Sequence, residues 1–537
     1  MLMKQVISVL IFWAFRVITP VQANAQTPLK LADVFGSGMV LQRDQPLRIY
    51  GKAAPGAAVS IRLFNPTDSG RKGQKRNKSQ TRVAADSTWQ ITLTAQGANA
   101  KPQILRIISQ GDTLTLTNVL IGDVWVCAGQ SNMAFMLKDD RFAAAALKSA
   151  ANANLGLLNW QPSVSVYNVP YKVEEIPNLR PENFYRPSGW EAADSTSARN
   201  FSAVGFYFGQ MVQRETGVPV GLITVAVGGS PAEAWLRPEA VVSGQAELKP
   251  IFRGNWFANE SLEPWCRERG HQNLDSLLVG GSTLPGDSLG INHPFKPGFL
   301  YRAGIESLLG LPIRGVLWYQ GESNALSLRR TQQHEQLFPA LVRDWRAQWG
   351  QGAFPFYFCQ LSSIGTEKGY RSEYWPEFRD SQRRMAERIP NVAMAVTSDV
   401  GHPSDVHPTD KKTVGKRLAR VALAGTYRKK VAARGPSLQK IQQQGNRLVL
   451  TFKDAAKGLR TQNDQPLAGF ELEDAAGVRH PAEAIISGKN VFITNPQSGH
   501  WQRVLYGWQP FSGGNLQNAA GLPASTFQMK IDQSIKH

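Results

Sequence analysis

At 537 residues, with 42% hydrophobic and 19% charged residues, the chain is too apolar for wholesale disorder and too long for one ordinary core; about three or four domains are expected. A formal net charge of +19 raises nucleic acid or an anionic surface as partners. The densest basic stretch, Arg71, Lys72, Lys75, Arg76 and Lys78, has no interleaved aromatics and lies between strand-like segments, so it reads as a solvated hairpin loop, with no nucleic-acid partner.

Residues 1–25 carry Lys4, an apolar run from Val6 to Phe15 and the small-residue triplet Ala23-Asn24-Ala25, the order of a secretory signal peptide cut after Ala25. Arg16 interrupts the run, and no later stretch approaches the roughly 18 continuous apolar residues of a membrane span. An exported protein, periplasmic or secreted, is expected. From residue 26 to 119, short alternating runs such as QPLRIYGK, STWQITL and QILRIIS, punctuated by Pro-Gly and Asp-Ser, predict an N-terminal β-sandwich. From 120 to 426 the pattern changes. Strand-like runs VWVCAG, GLITVAVGG, GVLWYQG, FPFYFCQ and VAMAVTS alternate with helical stretches, which predicts an α/β catalytic domain: a mainly parallel sheet covered by helices. Insertions at 160–200 and 240–295 read as loops above that sheet. From 427 to 537, runs such as RLVLTF, FELED, NVFITN and RVLYGW predict a second β-sandwich. Three cysteines cannot form a disulfide framework, and Cys127 and Cys359, inside strand-like runs, are expected as buried thiols.

Four segments at strand ends carry the candidate chemistry: AGQSNM (128–133), AVGGSPAEAW (226–235), WYQGESNA (318–325) and SDVGHPSDVHPTDKK, which leads into a helix from about Lys411. In an open parallel sheet ligands bind beyond the carboxyl ends of the strands, so these distant segments converge on one edge. Ser131 is the candidate nucleophile, although as a bare strand-to-helix turn it could equally be a cap. A serine needs a base, and His407, restrained by Pro408, supplies one. The base needs an acceptor for its second nitrogen: Asp405, Glu322 and a backbone carbonyl all qualify. The amides of Ser131 and of Gly228 or Gly229, with the side chain of Asn324, form a candidate oxyanion hole. Asp399, His402, Asp405 and His407 match no closed metal-ligand spacing, so neither metal nor organic cofactor is expected.

Taken together, GQSNM, WYQGESNA and DVHPTDK in this order, with FGSGMVLQRDQPLRIYGKAAPGAAV before them and YGWQP after, make the chain resemble the sialate O-acetylesterase family of SGNH-type hydrolases, related to acetylxylan esterases. The resemblance implies an SGNH-type parallel sheet and a serine esterase that removes O-acetyl groups from sugars. It implies Ser131 as nucleophile, His407 as base, and Gly229 and Asn324 as oxyanion donors. Many SGNH hydrolases place the acid three residues before the histidine, where this chain has Ser404. Sialic acid carries a carboxylate that arginine recognises well, and the loops offer Arg180, Arg186, Arg237, Arg267 and Arg302. Acetylated xylan or another plant glycan is the alternative substrate. A glycan-binding protein with a vestigial site is the rival of another class, motivated by Trp501, Tyr506 and Trp508.

Overall fold

A computed structural model of the chain describes residues 27–66, 78–241, 245–455, 457–494 and 501–531. The expected signal peptide and most of the basic hairpin loop lie outside the described residues. The strands flanking that loop, Ala58–Phe64 and Lys78–Arg82, pair antiparallel.

The seven-strand main path of an eleven-stranded sheet organises the molecule. Its strands, numbered here in chain order, are β1 (Asp112–Gly129), β2 (Asn152–Pro162), β3 (Tyr185–Ala193), β4 (Val220–Thr224), β5 (Gly315–Tyr319), β6 (Phe356–Cys359) and β7 (Val392–Ala395), in spatial order β3-β2-β4-β1-β5-β6-β7. All neighbours are parallel except β3, which runs antiparallel to β2 at the edge. The β3 segment reads as loop in sequence because Pro187-Ser188-Gly189 interrupts its alternation, and the pairing with β2 slips at that point. After β1 the chain builds outward on one side and then returns to add β5 on the other, so the carboxyl end of β1 lies where the strand order reverses.

Both faces of this sheet are buried. Along β1, Val124, Val126 and Ala128 enter one core with Leu337, Phe338 and Leu341 of a helix at Leu328–Trp349. Trp125 and Cys127 point the opposite way, toward helices at Ala203–Thr216 and Lys411–Gly425. That burial on two sides explains the near-continuous apolar runs in the sequence. Helix starts follow local chemistry: the Ser202 hydroxyl accepts from Gly205 N at 3.1 Å, and Asp410 Oδ1 accepts from Thr413 N at 3.0 Å. The second insertion holds a helix of its own, Pro264–Val279. All three cysteines are buried free thiols. No helix among the described residues is long and apolar enough to cross a membrane.

No loop marks the boundary expected near residue 120, because β1 crosses it as one strand. Its first half pairs with Asn99–Ser109 and its second half with β4 and β5. Accordingly, apolar residues of the N-terminal strands, such as Ile61 and Ile107, share one core cluster with the central sheet. The C-terminal strands form two four-stranded antiparallel sheets with a core of their own, including Leu450, Phe470, Val491 and Tyr506. Arg379, fully buried on a helix at Trp375–Arg388, joins that unit to the sheet by donating to Thr526 Oγ1 and to the carbonyls of Gly507 and Pro510.

Asp123, fully buried in β1, ties the N-terminal strands to the sheet. Its carboxylate accepts from Arg43 Nε at 2.9 Å and Arg314 Nε at 2.8 Å. Burial alone would raise its pKa, but the hydrogen bonds and charges of Arg43 and Arg314 outweigh that and hold it below the usual value. A carboxyl with a depressed folded-state pKa adds stability above its unfolded value of about 4, and loses it as the pH falls through the folded value. Asp123→Ala leaves two arginines facing each other and is expected to lower the free energy of unfolding by about 3–5 kcal/mol at neutral pH, measured by urea denaturation. The difference from the parent protein should shrink in acid.

Candidate active site

Strand β1 ends at Gly129, whose φ of +130° and close approach to β5 both exclude a side chain: a Cβ there would lie 2.2 Å from Tyr319 O. Gln130 N continues the pairing to Tyr319 O at 2.9 Å, and Ser131 then opens a single helical turn, Ser131–Ala134. Beyond β4, Val225 N and Val227 N donate to Cys127 O and Gly129 O, which lays Gly228-Gly229 beside that turn. A Cβ added to Gly228 would sit 3.8 Å from Ser131 Cβ. Gly229 has φ +71°, and its N–H finds no protein acceptor among the described residues. Ser131, Gly228, Gly229, Glu322 and His407 all line one cavity of about 470 Å³. Val166, Trp265, Leu326, Tyr370 and Trp375 give it an apolar wall, and Arg269 and Arg371 are its cationic members.

Three segments are tied together by one buried carboxamide. Asn132 Nδ2 donates to Glu322 Oε1 at 2.5 Å and to Val406 O at 3.0 Å, while Asn132 Oδ1 accepts from the Lys411 ammonium. Gln130 Oε1 accepts from the amides of Gly321 and Ser323, and Ser323 Oγ donates to Gly229 O at 2.9 Å. Burial raises the Glu322 pKa, against the lowering effect of Asn132 and Lys411, and its Oε2 is buried without a hydrogen-bond partner. Lys411 is fully buried, and desolvation pulls its pKa down to about 8 in spite of Glu322.

His407 lies one residue beyond Val406. Burial, then the charge of Lys411, lowers its pKa from the ordinary value, with Asp405 opposing. The imidazole is therefore neutral at neutral pH, the form a general base requires. Neither its ring nitrogens nor Ser131 Oγ is hydrogen-bonded to a protein group among the described residues; such contacts commonly tighten only with substrate.

Asp405 and Asn324 differ in placement. Asp405 Oδ1 accepts from His407 N at 2.8 Å and stands 4.0 Å from Nδ1, so it braces the backbone of the histidine while its charge faces the ring. Asn324 is buried and does not line the cavity. Its Nδ2 donates to Glu233 Oε2 at 2.9 Å and its Oδ1 accepts from Ala232 N and Gln320 Nε2, so the buried Glu233 claims the amide expected at the oxyanion. Asp399, from the weighed metal set, is bidentate with Arg417 at 2.6 and 2.7 Å. Of the arginines expected to meet a carboxylate, Arg237 pairs with Asp344 and Arg302 with Asp287, and none of the five lines the cavity. Tyr506 and Trp508 are buried, which leaves them no face for a sugar. A larger cleft of about 830 Å³, between the N-terminal strands and residues 181–187 and 303–310, holds none of the candidate groups.

The family described as "Carbohydrate esterase, sialic acid-specific acetylesterase" matches residues 121–246 and 251–424. Sialate O-acetylesterase from mouse is 29% identical over 468 residues, covering 79% of this chain and 79% of the relative. The human enzyme is 29% identical over 456 residues, covering 81% and 76%. The crystal structure of a carbohydrate acetylesterase from Xanthomonas citri superposes with a TM-score of 0.73 at 28% identity, covering 93% of this chain and 99% of that one.

The charges around His407 make a direct prediction. Followed by NMR, its imidazole should titrate below the ordinary histidine value of about 6.5. Lys411→Met removes a positive charge that disfavours protonation and should move that midpoint upward. A downward or absent shift would contradict the electrostatic assignment.

Proposed function

The chain belongs to the sialic acid-specific acetylesterase family of carbohydrate esterases, and from that membership we propose that it releases acetate from O-acetylated sugars through an acyl-enzyme on Ser131, sialic acid esters being its substrates. It is a carboxylic ester hydrolase by family. The observation that carries the residue assignment is the shared cavity: a hydroxyl, an imidazole held neutral and an amide without an acceptor border the same space.

Ser131 Oγ attacks the acetyl carbonyl while His407 takes its proton. The negative oxygen that develops is received by the N–H groups of Ser131 and Gly229, where the missing side chain at 229 leaves the backbone open to substrate. The imidazolium then protonates the departing sugar oxygen. Water, deprotonated in turn by His407, attacks the acetyl group on Ser131; the imidazolium returns that proton to Ser131 Oγ as its bond to the acetyl carbon breaks, and acetate leaves. No step calls for a metal or organic cofactor. The acidic partner of His407 is assigned to Asp405, the carboxylate recorded at 4.0 Å from Nδ1 and the one whose charge supports the imidazolium. A specific observation favours a second reading, in which Glu322 fills this role: its unpartnered Oε2 belongs to a residue lining the cavity. The parallel sheet with helices on both faces supports an SGNH-type core, with the C-terminal sheets, which have a core of their own, as a separate sandwich domain. The leader-like order of residues 1–25 supports export.

Ser131→Ala should lower kcat for acetate release by at least about a thousand-fold while leaving the thermal unfolding profile in place. Undiminished turnover would remove the assignment. Asp405→Asn should lower kcat by about a hundred-fold or more; a larger loss in Glu322→Gln than in Asp405→Asn would transfer the role to Glu322. Acetylated sialic acid should be turned over with higher kcat/KM than acetylated xylan, measured by acetate release.

A further inference from the structure

The helix Pro264–Val279 in the second insertion carries two residues of the cavity wall, Trp265 and Arg269, one turn apart. The Trp265 ring packs against Gly229, where an added Cβ would meet it at 2.7 Å, and stacks on Phe295 with centroids 5.4 Å apart. On the ring lies the Arg269 guanidinium, 5.3 Å from the centroid. One indole therefore separates the oxyanion glycine from a fixed cation. Arg269 is pinned by neutral acceptors: Nη1 donates to Val166 O at 2.7 Å and Nε to Gln272 Oε1 at 3.0 Å. Among the described residues it has no carboxylate partner. The other cationic wall residue, Arg371, is already answered by Glu263 at 2.5 Å. A half-buried guanidinium without a counter-charge has lost hydration that nothing in the protein returns, and burial accordingly draws its pKa down. An anionic group on the ligand would return it.

We propose that Arg269 recognises the carboxylate of the substrate, and so selects acetylated sugar acids over neutral acetylated sugars. The proposal rests on the esterase reading and adds its specificity determinant. Nη2, which has no protein acceptor among the described residues, supplies a charge-assisted hydrogen bond, and the stacked indole fixes the fork in place. Trp265 offers the apolar edge against which a sugar ring rests between that charge and Ser131.

The test compares O-acetylated sialic acid with its carboxamide, in which the carboxylate is replaced by a neutral group, by acetate release. The wild type should prefer the free acid by about 10- to 100-fold in kcat/KM, chiefly through KM. In Arg269→Met that ratio should fall to within about threefold of unity, and Arg269→Lys should retain part of it. A ratio cancels any general loss of folded enzyme. A wild-type ratio near unity, or one that persists in Arg269→Met, would overturn the proposal while leaving the esterase reading intact. Failure of the wild type to release acetate from either sugar and from an aryl acetate would instead remove the esterase reading.

Discussion

The carboxamide of Asn132 is the constraint on which the site depends. It holds the serine turn, the turn after β5 and the histidine loop in one arrangement, through Glu322, Val406 and Lys411. The bonds to Glu322 and from Lys411 are buried, so a missing partner there would leave a buried polar group uncompensated. A carboxylate and an ammonium placed on either side of a neutral amide also let both charges be buried without direct contact. Burial makes Glu322 harder to ionise against the opposing pull of Asn132 and Lys411, while burial and the charge of Lys411 make His407 harder to protonate. Lys411 therefore contributes to both positioning and acid–base tuning.

The sheet explains why that network can form at all. Parallel strands deliver their carboxyl ends to one edge, and the reversal of strand order beside β1 opens a crevice there. Burial of both faces makes the strands rigid, and the continuation of β1 into the N-terminal sheet braces the nucleophile strand from behind. The insertions then wall the crevice. Trp265 and Arg269 come from one, and Val166 from the other.

Much of this was legible in the sequence, and for physical reasons. Apolar runs ending at glycine marked β1, β4 and β5, and the polar triplet after Gly129 marked the serine turn. The segment after His407 reads as leading into a helix from about Lys411, where the helix starts. What depended on long-range pairing was not legible. Asn324 sits in a motif, yet a glutamate 91 positions away claims its amide. Arg269 was indistinguishable from surface arginines, because what sets it apart is the lack of an anionic neighbour, a property of the folded surroundings. The same holds for β1, which reads as two strands because its first half alternates and its second half is buried on both faces.

The central claim is that Ser131 is the atom that becomes acylated. Its most direct measurement is peptide mass spectrometry after reaction with an aryl phosphonate, which captures an activated serine irreversibly. The account predicts a single adduct, on the peptide bearing Ser131, that is lost in His407→Ala. An adduct elsewhere, or continued acetate release from protein that takes up no label, would contradict it.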